Sequence, residues 1–254
     1  MTIDPTEGSK PLMPAPPALA AFQKAALFLD FDGTLVELAG HPNEIRPDHR
    51  LADLLLRLSD RLDGRVALVS GRTVADIDRH MGRLPIAVAG SHGGELRSAG
   101  QDAIEVLAQS IPPGAQAAAQ VFMEQNPGLM IEQKRLGFAL HYRAAPGLEA
   151  AVAAFAERLT ETHQLASQRG KMVVEFMPDG FDKGRAVAWF MTQPSFEGST
   201  PVFLGDDVTD EHGFEVVSAQ GGLGILVGDA RETKATARLP AVADVHDWLR
   251  AFAT

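Results

Sequence analysis

Short runs of consecutive apolar residues alternate with helix-like patterns along most of the chain. Between the first two runs, leucines at positions 51, 54, 55, 58 and 62 recur at the spacing of one helix face. Runs that are apolar throughout are typical of strands buried on both faces of a parallel sheet. The alternation of such runs with helices therefore predicts an α/β fold with a doubly wound parallel sheet. The runs expected to form its strands are Ala26–Leu29, Val66–Val69, Ile86–Ala89, Pro201–Leu204 and Gly224–Val227.

Residues 113–177 have a different pattern, which predicts a separate α+β domain. Two helical segments, near residues 115–124 and 148–159, are mixed there with several short strand-like runs. Pro-Pro-Gly at residues 112–114 and Pro-Asp-Gly at residues 178–180 mark its two ends. We expect a core formed by residues 22–112 and 178–254, with residues 113–177 inserted into it. Residues 1–21 hold five prolines and no long apolar run, so we expect a disordered leader there.

Polar side chains follow the predicted strands at the points where the strands end. Because the carboxyl ends of parallel strands meet at one edge of a sheet, we expect these side chains to share a pocket. Two carboxylates facing a small dry volume need a cation beside them, which indicates Mg²⁺. A carboxylate nucleophile, a hydroxyl, an ammonium group and further acids also suit phosphoryl transfer, although acidic turns after strands are the less specific interpretation. The set comprises Asp30 with Asp32, Ser70, Lys183, and Asp206 with Asp207 and Asp210.

Composition and charge disfavour several classes of partner. A net charge of -10, a pI near 5.2 and the lack of basic runs disfavour nucleic acid and anionic membrane surfaces. No apolar run approaches the roughly 18 residues of a membrane helix. The chain has no cysteine, which fits a reducing cytoplasm. We expect a cytoplasmic monomer whose partner is a small molecule, with no nucleic acid and no membrane.

The motifs at the strand ends resemble those of a known superfamily. Asp-Phe-Asp-Gly-Thr-Leu at residues 30–35 is similar to the signature of the haloacid-dehalogenase-like phosphohydrolases. The further motifs extend this resemblance, over about residues 26–252, to the bacterial trehalose-6-phosphate phosphatases. They are Val-Ser-Gly-Arg at 69–72, Gly-Ser-His-Gly-Gly-Glu at 90–95, Phe-Ala-Leu-His-Tyr-Arg at 138–143, Val-Val-Glu-Phe at 173–176, Asp-Lys-Gly at 182–184 and Val-Phe-Leu-Gly-Asp-Asp-Val-Thr-Asp-Glu at 202–211.

The resemblance implies a fold and a reaction. The fold would be a doubly wound, Rossmann-like parallel core of the haloacid-dehalogenase type, with the insertion as an α+β cap over the sugar. The reaction would be the Mg²⁺-dependent hydrolysis of trehalose 6-phosphate to trehalose and phosphate, through an aspartyl-phosphate. A related capped phosphatase acting on another phosphorylated sugar stays open, and so does a non-catalytic sugar-phosphate sensor.

Individual roles carry over by the same resemblance. Asp30 would be the nucleophile and Asp32 the general acid and base, while Ser70 and Lys183 would hold phosphate oxygens. Mg²⁺ would be bound by Asp30, by Asp32 through its backbone carbonyl, and by Asp206, with Asp207 and Asp210 placed behind these ligands or orienting Lys183. The expected substrate-binding residues are Arg72, Lys134 and Glu175, with Glu95 and Arg143 as further candidates. For each of these five, a surface charge or an internal salt bridge is the competing interpretation.

Overall fold

The computed structural model describes residues 13–38, 49–107, 110–134 and 136–253. Within these ranges the strands are β1 (Ala25–Leu29), β2 (Val66–Val69), β3 (Ala87–Gly90), β4 (Glu95–Arg97), β5 (Glu105–Val106), β6 (Met130–Gln133), β7 (Phe138–His141), β8 (Leu165–Gly170), β9 (Val173–Pro178), β10 (Thr200–Gly205), β11 (Leu223–Val227) and β12 (Ala237–Leu239). The helices are α1 (His49–Arg61), α2 (Val74–Met81), α3 (Pro113–Gln125), α4 (Glu149–His163), α5 (Lys183–Met191), α6 (Glu211–Ala219) and α7 (Val242–Ala253).

Eight strands form the larger sheet, in the order β12-β11-β10-β1-β2-β3-β4-β5. The pairs from β12 to β3 are parallel, whereas β4 and β5 add two antiparallel strands at one edge. All five residues of β1 are buried. Leu27 and Leu29 pack into one core with the apolar face of α1, and Ala26 and Phe28 pack into a second core on the other face. The predicted doubly wound α/β fold is confirmed, with an antiparallel extension that the sequence pattern did not predict.

Four strands form a smaller antiparallel sheet, in the order β6-β7-β9-β8. It shares a hydrophobic core of its own with α3 and α4, in which Phe122 stacks on Phe155 with ring centroids 4.1 Å apart. Along β9, buried Val174 and Phe176 alternate with the less buried Val173, Glu175 and Met177, so Glu175 lies on the face of this sheet that is turned away from its core. These elements span residues 113–178, and we keep residues 113–177 as the proposed limits of the cap.

The segment ahead of β1 packs on the larger sheet. Leu19 is 2% exposed within the core. The carbonyl of Pro14 accepts a hydrogen bond from the Arg238 N–H, and that of Pro17 accepts one from the indole of Trp248. The expectation of a disordered leader is therefore wrong for residues 13–21, while its first twelve residues lie outside the described ranges. No helix within those ranges combines the length and apolarity needed to cross a membrane.

Candidate active site

Asp30 and Lys183 form a buried ion pair at the carboxyl ends of the central strands. Asp30 follows β1 directly and Lys183 opens α5, whose N-cap Asp182 accepts the Arg185 N–H. Lys183 Nζ donates to Asp30 Oδ1 at 2.7 Å and to Asp210 Oδ1 at 2.6 Å. Burial alone would lower the pKa of Lys183, but the two carboxylates outweigh burial and raise the pKa of Lys183 above its usual range. Lys183 is therefore a firmly charged ammonium group.

Burial has the opposite consequence for the acids of this cluster. It raises the pKa of Asp30, an effect that Lys183 opposes and the nearby Asp210 and Asp206 reinforce. Burial, and then the neighbouring Asp210, raise the pKa of Asp206 to about 6. A carboxylate whose charge is this costly lacks enough positive charge around it. The cluster thus has more negative charge than Lys183 alone offsets.

The geometry of these acids fits a divalent cation. Carboxylate oxygens of Asp30, Asp206 and Asp210 lie within 4.8 Å of one another. Asp206 Oδ1 is buried and, among the described residues, has no hydrogen-bond partner. Oxygen ligands of this kind suit Mg²⁺, and a cation would satisfy the unpaired oxygen. Asp210 was expected behind the ligands or orienting Lys183; it contacts Lys183 and also belongs to this group of carboxylates.

Asp32, the second acid of the first motif, binds an arginine. Arg72 Nε donates to Asp32 Oδ2 at 2.6 Å and Arg72 Nη2 to Asp32 Oδ1 at 2.7 Å. The guanidinium also lies 5.8 Å from the ring centroid of Phe31 and 3.2 Å from His80 Nε2. Ser70 is buried, and its hydroxyl accepts the Arg72 N–H at 3.1 Å. Arg72 thus pairs with the predicted acid-base residue, and its expected contact with the sugar stays a prediction.

A cavity of about 520 Å³ lies between the larger sheet and the cap. That volume lies within the roughly 300–1,000 Å³ of small-molecule sites. Asp32 and Arg72 line its core side, and Glu132, Lys134 and Glu175 line its cap side. Lys134 Nζ lies 3.3 Å from carboxylate oxygens of both Glu132 and Glu175. Lys134 and Glu175 on the cap therefore face Asp32 and Arg72 on the core across one cavity.

Other predicted residues have structural partners. Glu95 is fully buried and accepts the Val74 N–H at 2.9 Å, at the start of α2. Arg143 Nη2 contacts the Lys171 carbonyl at 3.5 Å, and the described lining of the cavity does not include it. Asp207 and Asp210 form a reciprocal capping box that closes the loop after β10. Sequence reasoning missed Glu132, although its alternation with Lys134 on one edge of the cap gave a signal for it.

Comparison with known proteins agrees with this geometry. The sequence model of the trehalose-phosphatase family matches residues 28–243. Trehalose-6-phosphate phosphatase of Escherichia coli is 42% identical over 241 residues, which cover 94% of this chain and 89% of that protein. The chain is also 39% identical over 201 residues to trehalose-phosphate phosphatase of Mycolicibacterium paratuberculosis, where the match covers 76% of this chain and only 51% of the relative.

A solved structure carries the same fold. The C-terminal domain of trehalose-6-phosphate phosphatase from Candida albicans superimposes with a TM-score of 0.78 at 23% identity, covering 96% of this chain and 99% of that domain. At this identity the likeness establishes the fold alone. Together with the sequence matches, it leads to one conclusion: the chain belongs to the trehalose-phosphatase family and is a phosphoric monoester hydrolase.

Proposed function

We propose that the protein hydrolyses trehalose 6-phosphate to trehalose and phosphate, with a divalent cation and through an aspartyl-phosphate on Asp30. The observation that carries the proposal is the buried cluster in which Lys183 bridges Asp30 and Asp210 beside Asp206. Membership of the trehalose-phosphatase family supports the choice of substrate.

In the first step a carboxylate oxygen of Asp30 attacks phosphorus, and the bond between phosphorus and the sugar oxygen breaks. Asp32 carries a proton at this stage and delivers it to the departing oxygen. Lys183 and the Ser70 hydroxyl donate hydrogen bonds to the phosphoryl oxygens, whose negative charge is the main obstacle to the reaction. The products of this step are free trehalose and phosphorylated Asp30.

In the second step a water molecule attacks the phosphorus of phosphorylated Asp30. Asp32, now ionised, takes the proton from that water, and the bond between Asp30 and phosphorus breaks to release phosphate. Asp30, Asp206 and Asp210 would hold Mg²⁺, which when bound offsets charge on the phosphoryl oxygens. The carboxylate of Asp30 is restored and the protein returns to its starting state.

The cap side of the cavity supplies the selectivity in this proposal. Trehalose is uncharged, so Glu132, Lys134 and Glu175 act on its hydroxyls as directional donors and acceptors. The two glutamates hold the ammonium group of Lys134 from both sides, which fixes where it points. A site built to pair with hydroxyls discriminates strongly, because a sugar that lacks them leaves polar groups unpaired.

The test is phosphate release with Mg²⁺ from trehalose, glucose, sucrose and mannose 6-phosphates, with Asp30→Asn beside the unchanged protein. We expect the trehalose ester to be preferred and Asp30→Asn to be inactive. Asp247→Asn is the matched control, since Asp247 is exposed on α7 and paired only with Arg250 in the described structure. Mass spectrometry of acid-quenched protein should find one phosphoryl group on the peptide that contains Asp30.

Two results would change the proposal. Preference for another ester would keep the chemistry and reject the substrate. Tight binding of one ester without turnover, under conditions where the protein is folded, would favour a sensor instead.

A further inference from the structure

Arg231 links the segment after β11 to the acidic loop after β10. Its Nη2 donates to the carbonyl of Asp207 at 2.7 Å and reaches the carbonyl of Asp206 at 3.4 Å. Its Nη1 contacts the carboxylate of Glu211 and donates to the Glu232 carbonyl at 3.0 Å. One guanidinium therefore binds both the loop that carries Asp206 and the first residue of α6.

Glu211 fixes Arg231 from the other side. It ends the motif at residues 202–211, and the reaction outlined above leaves it without a task. Besides Arg231, its carboxylate accepts the Thr233 hydroxyl at 2.8 Å and the Lys234 N–H at 2.7 Å. Three donors on a carboxylate that is only 18% exposed hold it, and with it Arg231, in one orientation.

The backbone that carries Asp206 is consequently fastened on two sides. Arg231 binds the carbonyls of Asp206 and Asp207, and the Asp207 N–H donates to Asp210 Oδ2 at 2.9 Å. Space is also limited, because a side-chain carbon on Gly33 would lie 2.1 Å from Asp206 Oδ2. The position of the Asp206 carboxylate thus depends on where this peptide is held.

Charge gives Arg231 a second effect on the same loop. Asp206, Asp207 and Asp210 follow one another closely, and Lys183 contacts only the last of them among the hydrogen bonds described. The guanidinium of Arg231 lies on the carbonyl side of the loop, so its charge attracts the acidic residues without occupying their carboxylate oxygens. The acids can therefore stay together before a cation binds.

We propose that Arg231, held by Glu211, is a positioning residue for the divalent-cation site, because it fixes the backbone that aims the Asp206 carboxylate. The inference rests on the cation requirement of the proposed function. It does not depend on which sugar phosphate is the substrate.

The test is Mn²⁺ binding to the full chain without substrate, measured by calorimetry and by electron paramagnetic resonance. For groups that hold metal ligands in place, losses of about 10- to 100-fold in affinity are typical, and we expect this for Arg231→Met. Arg231→Lys keeps the positive charge but lacks the forked guanidinium, so its Mn²⁺ affinity should lie between those of Arg231→Met and the unchanged protein. The Mn²⁺ affinity of Glu211→Gln should lie in the same range. Lys234→Met is the control, since it removes a cation from the same segment while its N–H bond to Glu211 remains.

A purely structural role for Arg231 would not predict the following dependence on Mg²⁺. If Arg231 positions the cation site, Arg231→Met should need a higher Mg²⁺ concentration for activity, and its kcat should be nearly restored at saturating Mg²⁺. Below saturation, Arg231→Lys should recover part of the activity that Arg231→Met loses. If folded Arg231→Met and Glu211→Gln bind Mn²⁺ within twofold of the unchanged protein, the inference is overturned. If the unchanged protein binds no divalent cation, the proposed cofactor fails first, and the inference fails with it.

Discussion

Arg72 binds both carboxylate oxygens of Asp32, at 2.6 and 2.7 Å, so the predicted acid-base residue is held in a two-point ion pair. Such a pair fixes the plane of the Asp32 carboxylate, which delivers a proton in the first step of the proposed reaction and takes one in the second. We therefore expect Arg72 to orient Asp32, whether or not it also contacts the sugar.

The first prediction distinguishes an effect of Arg72 that acts through Asp32 from a general effect of Arg72 on catalysis. Arg72→Met should lower turnover of a sugar phosphate by about 10- to 100-fold, because general acid-base catalysis typically contributes 10²–10⁴-fold. An aryl phosphate such as p-nitrophenyl phosphate needs no proton on its leaving group. The initial burst of aryloxide in Arg72→Met should therefore stay within about threefold of the burst in the unchanged protein. Stopped-flow measurement of the burst and steady-state phosphate release decide the matter.

The control for Arg72 is Arg83→Met, which removes an exposed arginine paired with Asp102. It should leave both substrates unaffected. Equal loss of the sugar-phosphate rate and the aryloxide burst in Arg72→Met would show that Arg72 acts on the phosphoryl group and not through Asp32.

The second prediction concerns the cap side of the cavity. Lys134→Met should raise KM for the trehalose ester at least about tenfold, since a lost hydrogen bond to a charged group costs roughly 1.5–3 kcal/mol. The aryl phosphate has no sugar hydroxyls, so its KM should not change. Lys171→Met, an exposed cap lysine, is the control. A parallel rise of KM for both substrates would place Lys134 at the phosphate instead of the sugar.

The central strands, and the position of the site at their carboxyl ends, could be predicted because the apolar runs of these strands continue unbroken up to the polar motifs. Strand β4 could not, since it carries Glu95 and Arg97, and charged residues break the hydrophobic pattern. Both are buried all the same, because Glu95 accepts the Val74 N–H and Arg97 binds Asp78. These partners lie 21 and 19 residues earlier in the chain, on the preceding helix, and leave no signal within the strand itself.

Edge strands and side-chain pairing were also beyond the sequence pattern. Strand β8, Leu-Ala-Ser-Gln-Arg-Gly, lies at the edge of the cap sheet and shows no regular alternation. The motifs identified Asp32, Arg72 and Asp210, and contact of Asp210 with Lys183 was one of the arrangements expected, but the pairing of Asp32 with Arg72 was not expected. Such choices depend on how segments far apart in sequence approach one another.

The third prediction uses two glycines with the same backbone conformation. Gly33 has a φ of +78° and Gly64 a φ of +81°. A side-chain carbon on Gly33 would meet Asp206, whereas one on Gly64 would have no described atom within 4 Å. Alanine at either position costs about 1–2 kcal/mol for the left-handed backbone.

Only Gly33→Ala should in addition lose phosphatase activity and Mn²⁺ binding, because it displaces the Asp206 carboxylate. Thermal unfolding, calorimetry and phosphate release compare the two variants directly. Full activity in Gly33→Ala would mean that the Asp206 carboxylate can move without consequence.

The fourth prediction is a loss of stability in acid that depends on His92. Burial, and then the positive charge of Lys183, lower the pKa of His92 to about 4 from its usual value near 6.5. The folded protein thus binds this proton less readily than the unfolded chain. The stability contribution is complete above pH 6.5 and decreases as the pH falls towards 4, by up to about 1.4 kcal/mol per pH unit.

Asparagine is the suitable replacement for His92, because the φ of this residue is +56° and asparagine tolerates that region. Urea unfolding between pH 8 and pH 4.5 should show a smaller acid loss for His92→Asn than for the unchanged protein, by about 1–2 kcal/mol at pH 5. Other groups titrate in both proteins, so the difference between them isolates the histidine. The imidazole resonance that is present in the unchanged protein and missing in the variant belongs to His92, and it should titrate below pH 5. A titration midpoint of this resonance near 6.5, together with parallel curves of stability against pH for the two proteins, would refute the prediction.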